Sequence, residues 1–349
     1  MRYVVVNKMV ALFVLLVVLG ITGRPSQSQE LSESIATVGA EYARGYLAPL
    51  ADAVGTDLNA GLVPVSLLGS ETNGLNVYFG VKVFGAFVPD DSRRFSISYV
   101  DDFPIEYEIG SDVVEIVVPA TFTIEEAPSF FGDSDPGEVT VRIQHDTTFS
   151  YLGLTLPVSF DSTGTIPGIG GLWSGGVAPM LAPELELGTL LGTSVKVRWV
   201  PAFSVENSET ISLFGFGLRH SLNTYLPRLP VNLGIQTFWQ RAGADDDEGG
   251  EVVRVTTFAA NVHAGKRFGL FGVYGALQSE QSRSRVSYQY VPPGAGGDAD
   301  PIPTRFSMTG ATKMRVILGL ELRAGPFHAN TDVSFGRLQA ITVGLGLAY

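Results

Sequence analysis

The chain has no cysteine, which excludes a disulfide framework, a thiolate metal centre, a cysteine nucleophile and a lipid-modified cysteine anchor. Charge is scarce: 17% of the residues are charged, against about 25% in an ordinary soluble domain. Acids outnumber bases by 35 to 23, and the resulting net charge of −12 repels nucleic acid, so no nucleic-acid partner is expected. No apolar run approaches the length of about 20 residues that a membrane-spanning helix needs. The sequence holds no HExxH pair, no GxSxG elbow and no GK[ST] phosphate loop. His220 and Ser221 invite a hydrolase reading, but neighbours in a strand point to opposite faces and cannot pair directly. Asp245–Glu248 with Glu251 lacks the spaced ligand order of a calcium loop and reads as a solvated surface loop. No catalytic, cofactor-binding or metal-binding residue is therefore assigned, no cofactor is implied, and the chain is read as a non-enzyme.

What is present begins with a targeting signal. Arg2 and Lys8 precede the apolar stretch Met9–Ile21, and the polar Thr22–Ser28 ends with small residues at Ser26 and Ser28. This is the three-part pattern of a secretory signal peptide, residues 1–28, with cleavage before Gln29. In residues 29–73 the apolar positions Leu31, Ile35, Val38, Tyr42, Tyr46, Leu50, Val54 and Leu58 recur at steps of three and four, which makes one helical face. Pro49 is expected to split this segment into two short helices. The segment is read as a hatch in a barrel mouth, with Tyr42, Tyr46 and Leu50 as its burying face, or as a periplasmic segment.

From residue 74 to 349 the period changes to two. Met314, Val316, Leu318, Leu320 and Leu322 interleave with polar neighbours, and Phe327, Ala329, Thr331, Val333 and Phe335 do the same. The link Gly325-Pro326 would pair Ala324 with Phe327, which sets Arg323 opposite His328 and Glu321 opposite Asn330. Strands of ten residues or more behind a signal peptide favour a transmembrane antiparallel β-barrel over a soluble sandwich. The chain also ends on the stripe Ile341, Val343, Leu345, Leu347, Tyr349, which resembles the C-terminal insertion signal of outer-membrane barrels; Leu345, Leu347 and Tyr349 are its candidate residues. Counting strands gives about 12–14, and loop lengths place the long connections at the end opposite Tyr349, except Ser221–Leu229, which is long for the Tyr349 side and has room for a short helix.

Turning a charge toward lipid costs about 2–4 kcal/mol for an Arg or Lys near the midplane, so energy assigns the charged face to the lumen. That rule points Lys196, Arg198, Lys313, Arg315 and Arg323 inward on later strands, and Glu106, Glu108, Glu115, Glu184 and Glu186 inward on earlier ones. Lys82, Glu321, His328 and Asp332 follow by alternation. Either the two signs face each other across water, or they pair and fill the interior.

Several short segments, Tyr46–Leu50, Asp57–Gly61, Ala86–Asp90, Phe131–Asp133, Gly217–His220 and Gly325–Asn330, occur in an order that resembles a family of predicted outer-membrane barrel proteins with no assigned activity. The resemblance implies a fold and an address and carries no site residues. A helical hatch with about fourteen strands is also similar in shape to the long-chain fatty-acid transporters. The expectation is an all-β outer-membrane barrel of a Gram-negative-type bacterium, contacting outer-membrane lipid and the barrel-assembly machinery. Its expected role is a passive channel or transporter for a small solute, a hydrophobic one included. The rival readings are a structural or adhesive barrel and a soluble secreted β-protein.

Overall fold

The computed structural model describes residues 39–63 and 76–349, apart from 110–111, 136, 152–153, 189, 206–208, 227, 246–249 and 291–301. The expected signal peptide lies outside the described residues, as do 29–38 and 64–75. The described chain is one helix, α1 (Ala40–Leu58), followed by fifteen strands. These are β1 (Asn76–Phe87), β2 (Arg94–Ile109), β3 (Asp112–Pro128), β4 (Glu138–Tyr151), β5 (Leu154–Pro167), β6 (Val177–Gly188), β7 (Thr193–Val205) and β8 (Glu209–Ser221). They continue as β9 (Asn232–Asp245), β10 (Glu251–Phe268), β11 (Phe271–Tyr290), β12 (Ile302–Thr309), β13 (Met314–Ala324), β14 (Phe327–Phe335) and β15 (Ala340–Ala348).

The strands divide into two compact units. One holds residues 50–89 and 175–349, the other 39–49 and 90–174. In the first unit β1 and β6–β15 form an antiparallel barrel, ordered β10-β9-β8-β7-β6-β1-β15-β14-β13-β11 and closed by the β10–β11 pairing. β12 and β13 both pair with β11, β12 along its second half and β13 along its first, so together they make one interrupted stave. The barrel therefore closes with ten staves instead of the expected 12–14, because β2–β5 form a four-stranded sheet of their own in the second unit. That lower count removes the basis of the shape analogy to fatty-acid transporters.

The barrel is inside-out relative to a soluble fold. Along β9 burial alternates residue by residue, with Gln236, Phe238 and Gln240 buried and Ile235 and Trp239 exposed. Phe79 and Val83 on β1, Phe214, Phe216 and Leu218 on β8, Leu318 and Leu320 on β13, and Leu345 on β15 also lie on the exposed face. A sandwich would bury that apolar face; a wall that exposes it and buries its charges is built for lipid. Tyr225, Phe268, Phe271, Phe327 and Tyr349 are exposed at or beside the strand ends on the side of the C-terminus, as an interfacial aromatic girdle would be. On that side the connections are short, except the ten residues between β8 and β9, which hold a turn of 3-10 helix at Leu222–Thr224. Gly325 adopts φ +62 in the link between β13 and β14, and the register there pairs Ala324 with Phe327, Arg323 with His328 and Glu321 with Asn330. At the opposite end the longest link between strands of the barrel unit is 291–301, between β11 and β12.

Helix α1 is continuous through Pro49, where two short helices were expected. The proline removes one backbone hydrogen bond, and it falls at the point where the chain passes from one unit to the other. In the second unit Tyr42 packs edge-on against Phe95 at 5.1 Å, and Tyr46 against Phe130 at 6.3 Å. The Tyr46 hydroxyl donates to the Gly170 carbonyl at 2.8 Å. The two tyrosines of the expected hatch face therefore serve the second unit, while Leu50 and the residues after it belong to the barrel unit.

Candidate functional site

An α-helix ends with four carbonyls that have no partner within the helix, and its dipole makes that end negative. Here that end lies inside the barrel: the Asn59 and Ala60 amides serve the Gly55 and Asp57 carbonyls, and the wall supplies donors to the others and to the carbonyls that follow. The Thr56 carbonyl accepts from Arg315 at 3.1 Å, Leu58 from Arg198 at 3.0 Å, and Asn59 from Gln278 at 2.9 Å. The second guanidinium nitrogen of Arg198 donates to both Ala60 and Gly61 at 2.9 Å. Lys82 also donates to Gly61, Gln240 to Leu58, and Lys196 to Leu62 at 2.9 Å. The segment from Leu50 to Val63 is thus a plug held by its backbone.

Shape reinforces the charge. Gly61 has φ +59, and a β-carbon there would meet Phe84 and Thr342 at 2.7 Å, so only glycine turns at this point against the wall. Leu62 packs with Phe238 and Ala259, and Val63 with Tyr274, Ala276 and Ile317. Successive plug residues descend β11: Gly55 abuts Ser282, Asn59 meets Gln278, and Val63 meets Tyr274. Near the start of the plug Asp52 accepts from the Ala311 amide at 2.8 Å, and the Thr56 and Thr312 hydroxyls meet at 3.4 Å.

The cations that hold the plug are themselves neutralised. Glu184 lies 3.3 Å from Lys82, 3.0 Å from Lys196 and 3.1 Å from Arg198, and all four side chains are buried. Glu186 sits 3.6 Å from Lys196 and accepts from Ser194 at 2.8 Å. Arg315 pairs with Glu280 at 2.6 Å. The opposite charges meet on adjacent strands β1, β6 and β7, rather than across a gap of water. Charges of this kind are retained where pairing and hydrogen bonds offset their desolvation.

Of the other residues assigned to the lumen, Glu321, His328 and Asp332 are buried on the inner face, with His328 3.9 Å from Glu321. The Tyr274 hydroxyl donates to Asp332 at 3.0 Å. Arg323 is half-buried and helps line a polar cavity of about 790 Å³ at the barrel end near Asn76 and Gly269. Lys313 is a correction. It is exposed and donates to the Gly310 carbonyl at 2.8 Å, because the break between β12 and β13 interrupts the alternation that pointed it inward. Glu106, Glu108 and Glu115 are a second correction, since they lie on β2 and β3, strands of the separate four-stranded sheet and not of the barrel wall. His220 reaches the Thr193 hydroxyl at 2.9 Å, and His263 is held between Arg219 and Asn261.

Asp57 lies fully buried in the plug, and burial pushes its carboxyl well above the ordinary carboxylate range despite the pull of Arg315. A raised folded-state value means that, above the free value, the folded chain holds a proton which the unfolded chain gives up. The stabilisation is complete below the free value of about 3.9 and is lost as pH rises from there through the raised value. The plugged protein should therefore lose thermal stability with rising pH. Asp57→Asn should flatten that dependence, and an unchanged slope in the variant would remove Asp57 as its source.

A family model matches residues 6–349, nearly the whole chain. The chain belongs to DUF6588. This is a family of unknown function. No curated protein matches the chain. Among solved structures, it is similar to a loop-deletion form of the outer-membrane protein OmpT of Vibrio cholerae, at 9% identity and TM-score 0.24, covering 80% of this chain and 100% of that one. It is also similar to the translocator domain of the autotransporter NalP from Neisseria meningitidis, at 9% identity and TM-score 0.30, covering 88% and 99%. A third is the transport unit of the autotransporter AIDA-I from Escherichia coli, at 9% identity and TM-score 0.28, covering 89% and 97%. This DUF6588 chain has the fold of an outer-membrane β-barrel, and the barrel's interior holds the backbone-clamped plug.

Proposed function

We propose that this protein is a gated outer-membrane passage for a small solute, shut at rest by its own Leu50–Val63 segment. The observation that carries the reading is the clamp of Lys82, Lys196 and Arg198 on the carbonyls of Leu58–Leu62, which puts the lumen's cations on the plug. In this reading export follows the N-terminal signal, and the barrel-assembly machinery inserts the chain by its C-terminal stripe, with Leu345 and Tyr349 outward in lipid. No catalysis is involved.

The absence of native cysteine makes a direct test possible. Thr56→Cys with Thr312→Cys places two thiols where the hydroxyls now meet, and oxidation would fix the plug to the wall. In planar bilayers the reduced protein should show intermittent current and the oxidised protein none, with recovery on reduction. Equal current in both states would mean that solute does not pass by plug movement. Silence in both states, and in a chain lacking the plug, would leave a structural barrel.

A further inference from the structure

Strand β11 is 20 residues long. At about 3.4 Å per residue and a tilt of about 40°, it climbs roughly 50 Å along the barrel axis, twice the height of about 25 Å that an apolar band needs. Its Phe271 is one of the exposed aromatics on the side of the C-terminus. Counted from there, the band is crossed after about ten residues, near Gln281. The outward positions from Val273 to Gln281 carry no charge. The next two are Arg283 and Arg285, both exposed, interleaved with the buried Ser282, Ser284 and Val286.

The register gathers more donors on the same face. Arg285 pairs with Ser307 on β12, and the next pair reverses the order, Ser287 with Arg305. Two guanidinium groups and two hydroxyls thus stand at alternate corners of one patch, which borders a cavity of about 510 Å³. Arg283 donates to the Ser307 hydroxyl at 3.4 Å. On its other side Arg285 stands opposite Arg254 of β10, and like charges directly opposed destabilise a sheet. Glu251 lies at the edge of the cavity but is paired with Arg241 at 3.7 Å and with Arg254. Among the described residues no carboxylate pairs with Arg283, Arg285 or Arg305. The inner side of the same ribbon is packed, with Val286 buried and Tyr288 edge-on to Phe306 at 6.3 Å.

We infer that this patch is a headgroup site for a lipid with a terminal phosphate, whose oxygens accept from Arg285, Arg305 and the Ser287 and Ser307 hydroxyls. A guanidinium only donates, and its planar fork matches phosphate. The bare cations supply the charge such a headgroup lacks, and the lipid relieves the opposition of Arg254 and Arg285. Position selects a lipid over a soluble anion. One step down the same face, two residues along each strand, Trp239 and Phe258 face each other across β9 and β10, each 40% exposed, with Leu277 beyond them on β11. Acyl chains have an apolar wall there while the phosphate stays at the arginines. The inference rests on the outward face meeting lipid and is independent of the plug.

The test places the full chain in nanodiscs of phosphatidylcholine and phosphatidate in equal parts and weighs the lipids it retains on release, by native mass spectrometry. The native chain should keep phosphatidate over phosphatidylcholine by about tenfold or more, the worth of one charge-assisted hydrogen bond. Arg285→Gln with Arg305→Gln should abolish that preference. Arg228→Gln, an exposed arginine in the loop between β8 and β9 at the other end, should leave it intact. Excess inorganic phosphate should not displace the lipid. No preference in the native chain, an unchanged preference in the double variant, or displacement by inorganic phosphate, which would assign the patch to a soluble anion, would each overturn the inference. Heat-modifiable migration of the same samples reports insertion separately: a native chain that inserts without preferring phosphatidate overturns the headgroup site alone, and one that does not insert overturns the lipid-facing wall with it.

Discussion

Arg198→Ala should cost about 3–5 kcal/mol of stability, the usual penalty for breaking a buried, hydrogen-bonded charge pair. The change removes donors to three plug carbonyls and a partner of Glu184 at once. It also removes the cation that lies over the Phe84 and Phe238 rings, at 4.7 and 5.5 Å. Arg198→Lys should not restore the clamp, because one ammonium cannot copy a planar fork that reaches three carbonyls. Trp199→Ala, on the outward side of the same strand, should leave the plug in place. The readouts are thermal unfolding in detergent and bilayer current, with lower stability and higher current expected together. A variant as stable and as silent as the native protein would mean that Arg198 does not hold the plug.

Leu318→Arg should be nearly as severe for a different reason. Leu318 sits near the middle of β13 and is 58% exposed, on the face assigned to lipid. An arginine near the bilayer midplane costs about 2–4 kcal/mol, whereas a substitution on a water-facing surface stays within roughly 0.5 kcal/mol. The fraction of chain reaching the heat-modifiable, membrane-inserted form measures the difference. Normal yield of the variant would show that this face meets water and would return the protein to the class of secreted β-folds.

The barrel wall was legible because two constraints agree at each position. Between β13 and β14, the Gly325-Pro326 link and the alternation on both sides give one register, and Arg323 faces His328 as that register requires. The inward placement of Lys82, Glu184, Glu186, Lys196, Arg198 and Arg315 followed from the cost of charge in lipid. The strand count failed because β2–β5 alternate as barrel strands do; a period of two reports a two-faced sheet without saying what covers either face. Glu106 and Glu115 occupy facing register positions in that second sheet and look no different in sequence from lumen carboxylates. Lys313 was misplaced because it lies in the four-residue link before β13 begins, where strand alternation does not hold. The clamp itself could not be read at all. Its acceptors are main-chain carbonyls, which every residue possesses, and only Gly61 marks the spot.

The plug is joined to β1 by residues 64–75, a link of twelve residues that spans at most about 43 Å when fully extended. In the gated reading proposed above, a segment released from the clamp stays joined to β1 by this link and to the rest of α1 at its other end, so it cannot diffuse away. A short tether of this kind keeps its cargo at an effective concentration of around millimolar beside its site. Reclosure is then a first-order event, independent of how much protein is present. A free peptide copying Leu50–Val63 would have to compete with that standing concentration to hold the passage shut, so it should block only chains whose own plug has been removed.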